Sequence, residues 1–268
     1  MKTILITGAA GGVGTFLRKE FKGKYKLRLS DIAPISDLAP DEEFIPADLT
    51  DLEAVKTATQ GVDGIFHLGG YSVEGDWQTI LDANIIGLRN LYEAAYQTGV
   101  KRVVFASSNH AAGFYRRDQV IDHTAIPRPD SRYGASKAFG EAMGALYADK
   151  YGMEITCIRI GNVAMEPADK RRLSIWVTPR DLAQLVSIGL EHPDIHYEIF
   201  YGMSDNRQAW WDNKNAYGFG YRPQDKNDGF IEEVMAAETP KPDGDLTEIY
   251  QGGTFVASES GGAPAKNR

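Results

Sequence analysis

One cysteine, no long apolar run and no surplus of positive charge: each of these shortages removes a class of explanation. Cys157 stands alone, so an intrachain disulfide framework and a cysteine-based metal site are both excluded. It falls within an apolar strand and reads as core. The five histidines show no H-x-x-x-H spacing, so the usual helical pair of metal ligands is missing too. No metal is expected. No apolar stretch approaches the roughly 20 residues that cross a bilayer. The first residues lack a signal-peptide pattern, because their short apolar run passes straight into a glycine turn. A cytoplasmic location is the expectation. A net charge of −8 and an isoelectric point near 5.2 argue against a general nucleic-acid or anionic-membrane surface. What remains is chemistry on a small molecule, in a chain of 268 residues that can bury a sizeable core.

That core begins at once. Lys2 to Thr7 is an apolar, β-branched run that reads as a buried strand. It enters Gly8-Ala9-Ala10-Gly11-Gly12-Val13-Gly14 and then a helical stretch from Thr15 to Phe21. Strand, glycine turn and helix in that order form a dinucleotide-site pattern. The glycines leave room for a pyrophosphate, and the helix N-terminus offers it free N–H groups. The spacing is G-x-x-G-x-x-G. A second strand, Lys26 to Ser30, ends in Asp31, 17 residues beyond Gly14. A carboxylate there accepts hydrogen bonds from both ribose hydroxyls and repels a 2′-phosphate. No Arg or Lys follows in D-I-A-P-I-S-D, so the cofactor expected is NAD and not NADP. A plain turn aspartate is the alternative at Asp31. Ala47-Asp48-Leu49 is read as closing a third strand, where Asp48 meets the adenine amino group or caps a helix starting near Asp51.

Further on, strands and helices alternate: Gly64 to Leu68 then Trp77 to Gln97, Arg102 to Ser107 then Tyr133 to Tyr151, and Glu154 to Ile160. The rhythm implies an α/β, Rossmann-type doubly wound parallel sheet with a small C-terminal substrate-binding region. Residues 1–257 are expected to form one domain, with substrate elements from about residue 161, and 258–268 a flexible tail. Ligands in such sheets bind beyond the carboxyl ends of the strands, where these motifs fall.

Tyr133 and Lys137 stand in Y-G-A-S-K, an i, i+4 pair that puts a phenol and an ammonium on one helix face. A nearby cation favours phenolate, so Lys137 is expected to pull the phenol down from its usual value near 10 and make Tyr133 a general base. Ser108, 25 residues earlier at the end of a strand, can hold a substrate oxygen against that phenol. Asn84 is a poor residue for a helix interior. It bends that helix, or holds a proton-relay water through its backbone, or simply faces solvent.

Together, Gly8, Gly11, Gly14, Asp31, Asp48, Ser108 and Tyr133-x-x-x-Lys137 resemble the extended branch of the short-chain dehydrogenase/reductase family. The resemblance implies a Ser–Tyr–Lys mechanism with hydride transfer at the nicotinamide. It implies a cofactor site of Gly8, Gly11, Gly12, Val13, Gly14, Asp31, Asp48, Leu49, Leu68, Gly69 and Asn84, with Tyr133 and Lys137. About 105 residues follow the sixth strand, few for a nucleotide-sugar domain, so a small free substrate is expected. Lys170-Arg171-Arg172 hints at an anionic one, since a guanidinium grips a carboxylate bidentately. An ordinary solvated loop is the alternative.

Finer runs narrow this further. S-S-N-H-A-A-G-F-Y, S-R-Y-G-A-S-K-A-F-G-E, R-I-G-N and D-K-R-R-L-S-I-W are similar to the uronate dehydrogenases of that branch. This implies NAD-dependent oxidation of C1 of D-glucuronate or D-galacturonate to the aldarolactone. Tyr133 is then the base, Lys137 its activator and Ser108 the oxygen anchor. Ser72, Asn109 and His110 hold sugar hydroxyls, Arg171 the C6 carboxylate, and Phe255 lies against the sugar. His110 has a competing role as a second acid/base group. Asn162 stands where the resemblance implies a serine, a change of reach that bears on the choice between C4 epimers. The resemblance also implies a homo-oligomer. The competing readings are a sugar epimerase that retains its NAD and a non-catalytic NAD-sensing module.

Overall fold

The computed structural model describes residues 1–258; the rest of the expected tail, 259–268, lies outside the described residues. Six parallel strands rise in the first 160 residues: β1 (Thr3–Thr7), β2 (Lys26–Ser30), β3 (Glu42–Phe44), β4 (Gly64–His67), β5 (Arg102–Ser108) and β6 (Glu154–Ile160). Two short strands follow, β7 (Asn162–Val163) and β8 (Trp176–Val177), paired with each other. The last, β9 (Tyr197–Gly202), completes a seven-stranded sheet of order β3-β2-β1-β4-β5-β6-β9. The order reverses between β1 and β4, which opens a crevice at their carboxyl ends.

Alternation along β1 explains the layers. Ile4 and Ile6 point to one face, where α1 (Gly12–Phe21) packs through Leu17 and Phe21. Leu5 points to the other, where α2 (Leu52–Thr59) packs through Val55 and Ala58. Both faces are thus buried, as a parallel sheet requires.

Three expectations are corrected. The third strand is Glu42–Phe44, a short charged edge, and Ala47-Asp48-Leu49 lies beyond it. The strand Tyr197–Gly202 was not anticipated; its alternation is broken by Glu198 and by a tyrosine pair. The long helix from Trp77 is three pieces: α3 (Trp77–Ile80), a π-helical stretch Leu81–Ile86, and α4 (Gly87–Thr98). After β5 comes a 3₁₀ turn, Asn109–Ala112, and then α5 (Arg132–Tyr151). Ser131 caps α5 by accepting from Gly134 N at 2.9 Å. Two more helices, α6 (Lys170–Ile175) and α7 (Pro179–Glu191), carry the chain past β6, with α7 beside α1 on the first face.

Candidate active site

At the end of β1 the chain turns through Gly8, whose φ of +67° suits glycine. A Cβ on Gly8 would stand 2.7 Å from Gly69 N, and one on Gly14 would stand 2.6 Å from Ala9 O. Backbone fills the place a side chain would need. Gly12, by contrast, has nothing within 4 Å of that position. Gly11 caps α1 without any side-chain hydrogen bond, so the first N–H groups of the helix stay open to an anion.

Two adjoining cavities run over this turn. One, of about 390 Å³, is lined by Asp31, Ile32, Asp48, Leu49, Gly69 and Gly70. The other, of about 400 Å³, is lined by Gly11, Gly12, Val13, Gly14 and Leu68, and on its far side by Ser72, Ser108, Tyr133, Lys137 and Asn162. Gly8, Asp31, Gly70 and Tyr71 border both. Asp31 accepts from Ala10 N and Ala33 N, each at 3.0 Å, which fixes its carboxylate at the tip of β2. Asp48 accepts from Thr50 N and Thr50 Oγ1, each at 2.8 Å. It caps no helix; Asp51 does that for α2, through Glu53 N and Ala54 N.

Asn84 does not face solvent. It is buried in the π-helical stretch, accepting from Tyr71 N at 2.7 Å and donating to Tyr71 O and Ser136 Oγ, both at 2.9 Å. An inserted π turn bends the helix, and the side chain ties that bend to the loop after β4 and to α5.

Tyr133, Lys137 and Ser108 converge as the i, i+4 spacing implies, yet the electrostatics differ from expectation. Burial pushes the Tyr133 phenol up to about 12, opposed by its hydrogen bond with Ser108. Burial also pushes Lys137 down, to about 8. Lys137 Nζ donates to Ala106 O at 2.8 Å and lies 5.5 Å from the Tyr133 ring centroid. In the chain by itself desolvation dominates, and the charge of nearby Asp130 adds to it.

Beside Tyr133 sits a cluster drawn from distant parts of the chain. The His110 and Phe255 rings stack at 3.8 Å, and the Tyr133 ring lies 5.9 Å from the first and 6.2 Å from the second. Arg171, near the start of α6, donates from Nε to Gln251 O at 2.8 Å. With both its ends satisfied, the Asn109 amide donates to Ile160 O at 3.2 Å and accepts from Arg171 Nη2 at 2.8 Å. The three cations of K-R-R behave differently. Lys170 pairs with Glu248 and Arg172 with Asp169, whereas Arg171 meets only neutral acceptors among the described residues. Burial, reinforced by nearby Arg117, holds its guanidinium down at about 10. Trp210 and Trp211 are buried, and Trp211 Nε1 donates to Gln251 Oε1 at 2.9 Å.

Several participants stand outside the expected set. Gly70 and Tyr71 could have been found from the L-G-G-Y run after β4. Glu74 accepts from Tyr133 N at 3.0 Å and from Arg132 Nη1 at 2.9 Å, pinning the loop after β4 to the start of α5. Asp130 bonds His110 at 2.7 Å. Nothing local in sequence marks Glu74, Asp130 or Gln251.

Comparison with known proteins gives the family. The sequence profile of the NAD dependent epimerase/dehydratase family matches residues 4–194. Uronate dehydrogenase of Pseudomonas putida is 48% identical over 257 residues, spanning 95% of this chain and 96% of that protein. The chain belongs to this family, on its uronate dehydrogenase branch. Solved structures of the branch superpose closely. The glucuronic acid dehydrogenase of Chromohalobacter salexigens matches with a TM-score of 0.93 and 42% identity, covering 96% of this chain and 97% of that one. A point variant of the Agrobacterium tumefaciens uronate dehydrogenase, complexed with NAD, matches at a TM-score of 0.92 and 40% identity over the same shares.

Proposed function

We propose that this chain is an NAD-dependent uronate dehydrogenase that oxidises C1 of a free hexuronate to the aldarolactone. The observation that carries the reading is Arg171: a guanidinium at the substrate side, largely withdrawn from water and left without a directly bonded carboxylate. Asp130 and Asp169 act on it only from a distance; desolvating a cation without a directly bonded counter-ion is costly, and a substrate carboxylate reduces that cost.

The glycine turn fits the cofactor. Backbone at Gly8 and Gly14 leaves no room for side chains, the α1 N-terminus is open, and Asp31 stands where a ribose would need acceptors. Those residues, with Val13, Leu49, Leu68 and Gly69 along the cleft, would hold NAD, which when bound supplies the hydride acceptor and a positive charge on its nicotinamide. The carboxylate at Asp31 selects against a 2′-phosphate.

The remaining steps belong to the protein's own groups. Ser108 holds the anomeric oxygen against Tyr133, and the Tyr133 phenolate takes the hydroxyl proton from it as the C1 hydride departs. The two electrons leave with the hydride, the proton stays on the phenol, and C1 becomes the lactone carbonyl. Lys137 keeps one cation beside Tyr133, and its depressed value near 8 lets it pass a proton onward at mildly alkaline pH. Ser72, Asn109, His110 and Asn162 present polar groups to the sugar, and Phe255 gives it an apolar face. A small uronic acid is the partner proposed, within a homo-oligomer. No helix among the described residues is long and apolar enough to cross a membrane, and the place of action proposed is the cytoplasm.

The test follows NADH formation with D-glucuronate, D-galacturonate, D-glucose and D-glucose 6-phosphate side by side. The expected result is NADH from the two uronates and little from the neutral sugar. A phosphate ester turned over faster than either uronate would replace the carboxylate with a larger anion. No NADH from either uronate would overturn the reading.

A further inference from the structure

The most enclosed titratable group beside Tyr133 has no part in the chemistry above. Asp130, just before α5, has a carboxylate with 0% exposure. Its Oδ2 lies 2.7 Å from His110 Nδ1, and its Oδ1 accepts from Ser131 Oγ at 2.8 Å. Two glycines from remote parts of the chain make space for it. A Cβ on Gly113 would fall 1.8 Å from Asp130 Oδ2, and one on Gly252 would fall 1.9 Å from the same oxygen. The two glycines are themselves joined, Gly252 N donating to Gly113 O at 2.9 Å.

His110 is fixed on every other side. Its N–H donates to Ser108 Oγ at 3.2 Å, its carbonyl accepts from Asp130 N at 3.3 Å, and Phe255 covers its ring at 3.8 Å. A carboxylate out of reach of water must be met by donors. Ser131 supplies one and the imidazole the other, which places the proton of a neutral ring on Nδ1. Nε2 is then a bare acceptor.

We propose that Asp130 is a positioning residue that sets His110 as a hydrogen-bond acceptor, so that Nε2 takes the O–H of a substrate hydroxyl. Gly252 packs against the same carboxylate, in the segment that carries Gln251, the carbonyl partner of Arg171, and Phe255, the ring over His110. One buried anion thereby aligns the hydroxyl acceptor with the carboxylate grip. The hydroxyl part rests on the sugar-substrate reading above; the tautomer does not. The preference that follows is for a sugar bearing a hydroxyl where His110 points, since a deoxy or O-methyl analogue offers Nε2 no donor.

The tautomer is read directly. Protein carrying ¹⁵N-labelled histidine, without cofactor or substrate, is examined by two-bond ¹H–¹⁵N correlation, with the His110 signals assigned by their loss in His110→Gln. The expected pattern is a protonated Nδ1 and an unprotonated Nε2. An Nε2–H tautomer in the unmodified protein would overturn the proposal, whether or not any variant folds. Kinetics then test the consequence. Asp130→Asn is expected to raise KM for the uronate about tenfold, the scale of one hydrogen bond. The fall in kcat should be smaller, and NAD affinity should hold. Gly252→Ala, which displaces the same carboxylate, should move KM in the same direction and perturb the same His110 signals. Equal losses of NAD affinity and uronate affinity would mark Asp130 as a fold residue only and sink the positioning role. If the Nδ1–H tautomer is seen while no uronate is oxidised, the tautomer assignment stands and the uronate reading falls.

Discussion

The two halves of the cleft are built by different means. On the cofactor side the shape comes from backbone: Gly8 and Gly14 close against Gly69 and Ala9, and the open end of α1 faces the cavity. On the proposed substrate side it comes from side chains that are far apart in sequence, with Asn109, His110, Asp130, Arg171 and Phe255 meeting around Gln251 and Gly252. A backbone cradle tolerates many surroundings and grips what every dinucleotide shares. A side-chain cluster is tuned to one ligand and reshaped by single substitutions. Tyr133 stands between them, on α5.

The largest effect should come at that junction. Tyr133→Phe removes one oxygen and is expected to lower kcat about 100- to 10,000-fold, the range for a positioned base, while calorimetric NAD affinity changes little. Because burial holds the phenol up at about 12, the unmodified protein should speed up as pH rises, and that climb should vanish in the variant. Retention of most activity would move the base elsewhere. Next comes the substrate half alone. Arg171→Ala should raise KM for uronates by about ten- to a hundredfold, the worth of a charge-assisted bond, with NAD affinity unchanged and D-glucose turnover no worse. A parallel loss for glucose would show that Arg171 supports the pocket and does not read the carboxylate.

The cofactor half is probed by Gly14→Ala. The new Cβ must displace Ala9 O, at a cost on the order of 2 kcal/mol, which weakens NAD binding roughly thirtyfold. KM for the uronate, measured at saturating NAD, should stay put. If it rises in step, the two halves are one unit and the contrast fails.

The same contrast explains what could be read in advance. The glycine turn, Asp31 and Tyr133-x-x-x-Lys137 each lie within one strand–turn–helix or one helical turn, where spacing maps directly onto geometry. Most strands were legible for a like reason: runs such as R-V-V-F-A and E-I-T-C-I-R-I are apolar on both faces. The third strand was misplaced because E-E-F is short and charged, and its neighbours are proline and aspartate. The break in the helix at Asn84 has a local sign, the poor helix residue, but its π character depends on a bond to Tyr71, 13 positions earlier. Glu74, Asp130 and Gln251 had no local sign at all, since each acts through a contact that only the folded chain supplies. The direction of the Tyr133 shift was misjudged for a related reason. The pair was visible in sequence, but the depth of its burial was not.

The smallest effect tests the floor of the cofactor half. His67, at the end of β4, is fully enclosed, bonded to Thr7 Oγ1 at 2.6 Å and stacked on Phe105 at 5.9 Å. Burial, with a further contribution from the Lys137 cation, pushes it down to about 3. An unfolded histidine titrates near 6.5, so between pH 6.5 and 3 the unfolded chain binds a proton that the folded chain refuses. Stability contributed by this residue is therefore complete above about pH 6.5 and is lost as pH falls, at up to about 1.4 kcal/mol per pH unit. His67→Gln keeps an acceptor for Thr7 and cannot titrate. Urea denaturation without NAD should find the variant weaker at pH 7, where it lacks the ring's packing. On acidification to pH 5 it should lose about 1 to 2 kcal/mol less than the parent. Equal acid losses in the two proteins would mean that His67 is already protonated in the fold. Lys137 would then share its wall with a second cation, and the backbone cradle would owe part of its anion preference to a side chain after all.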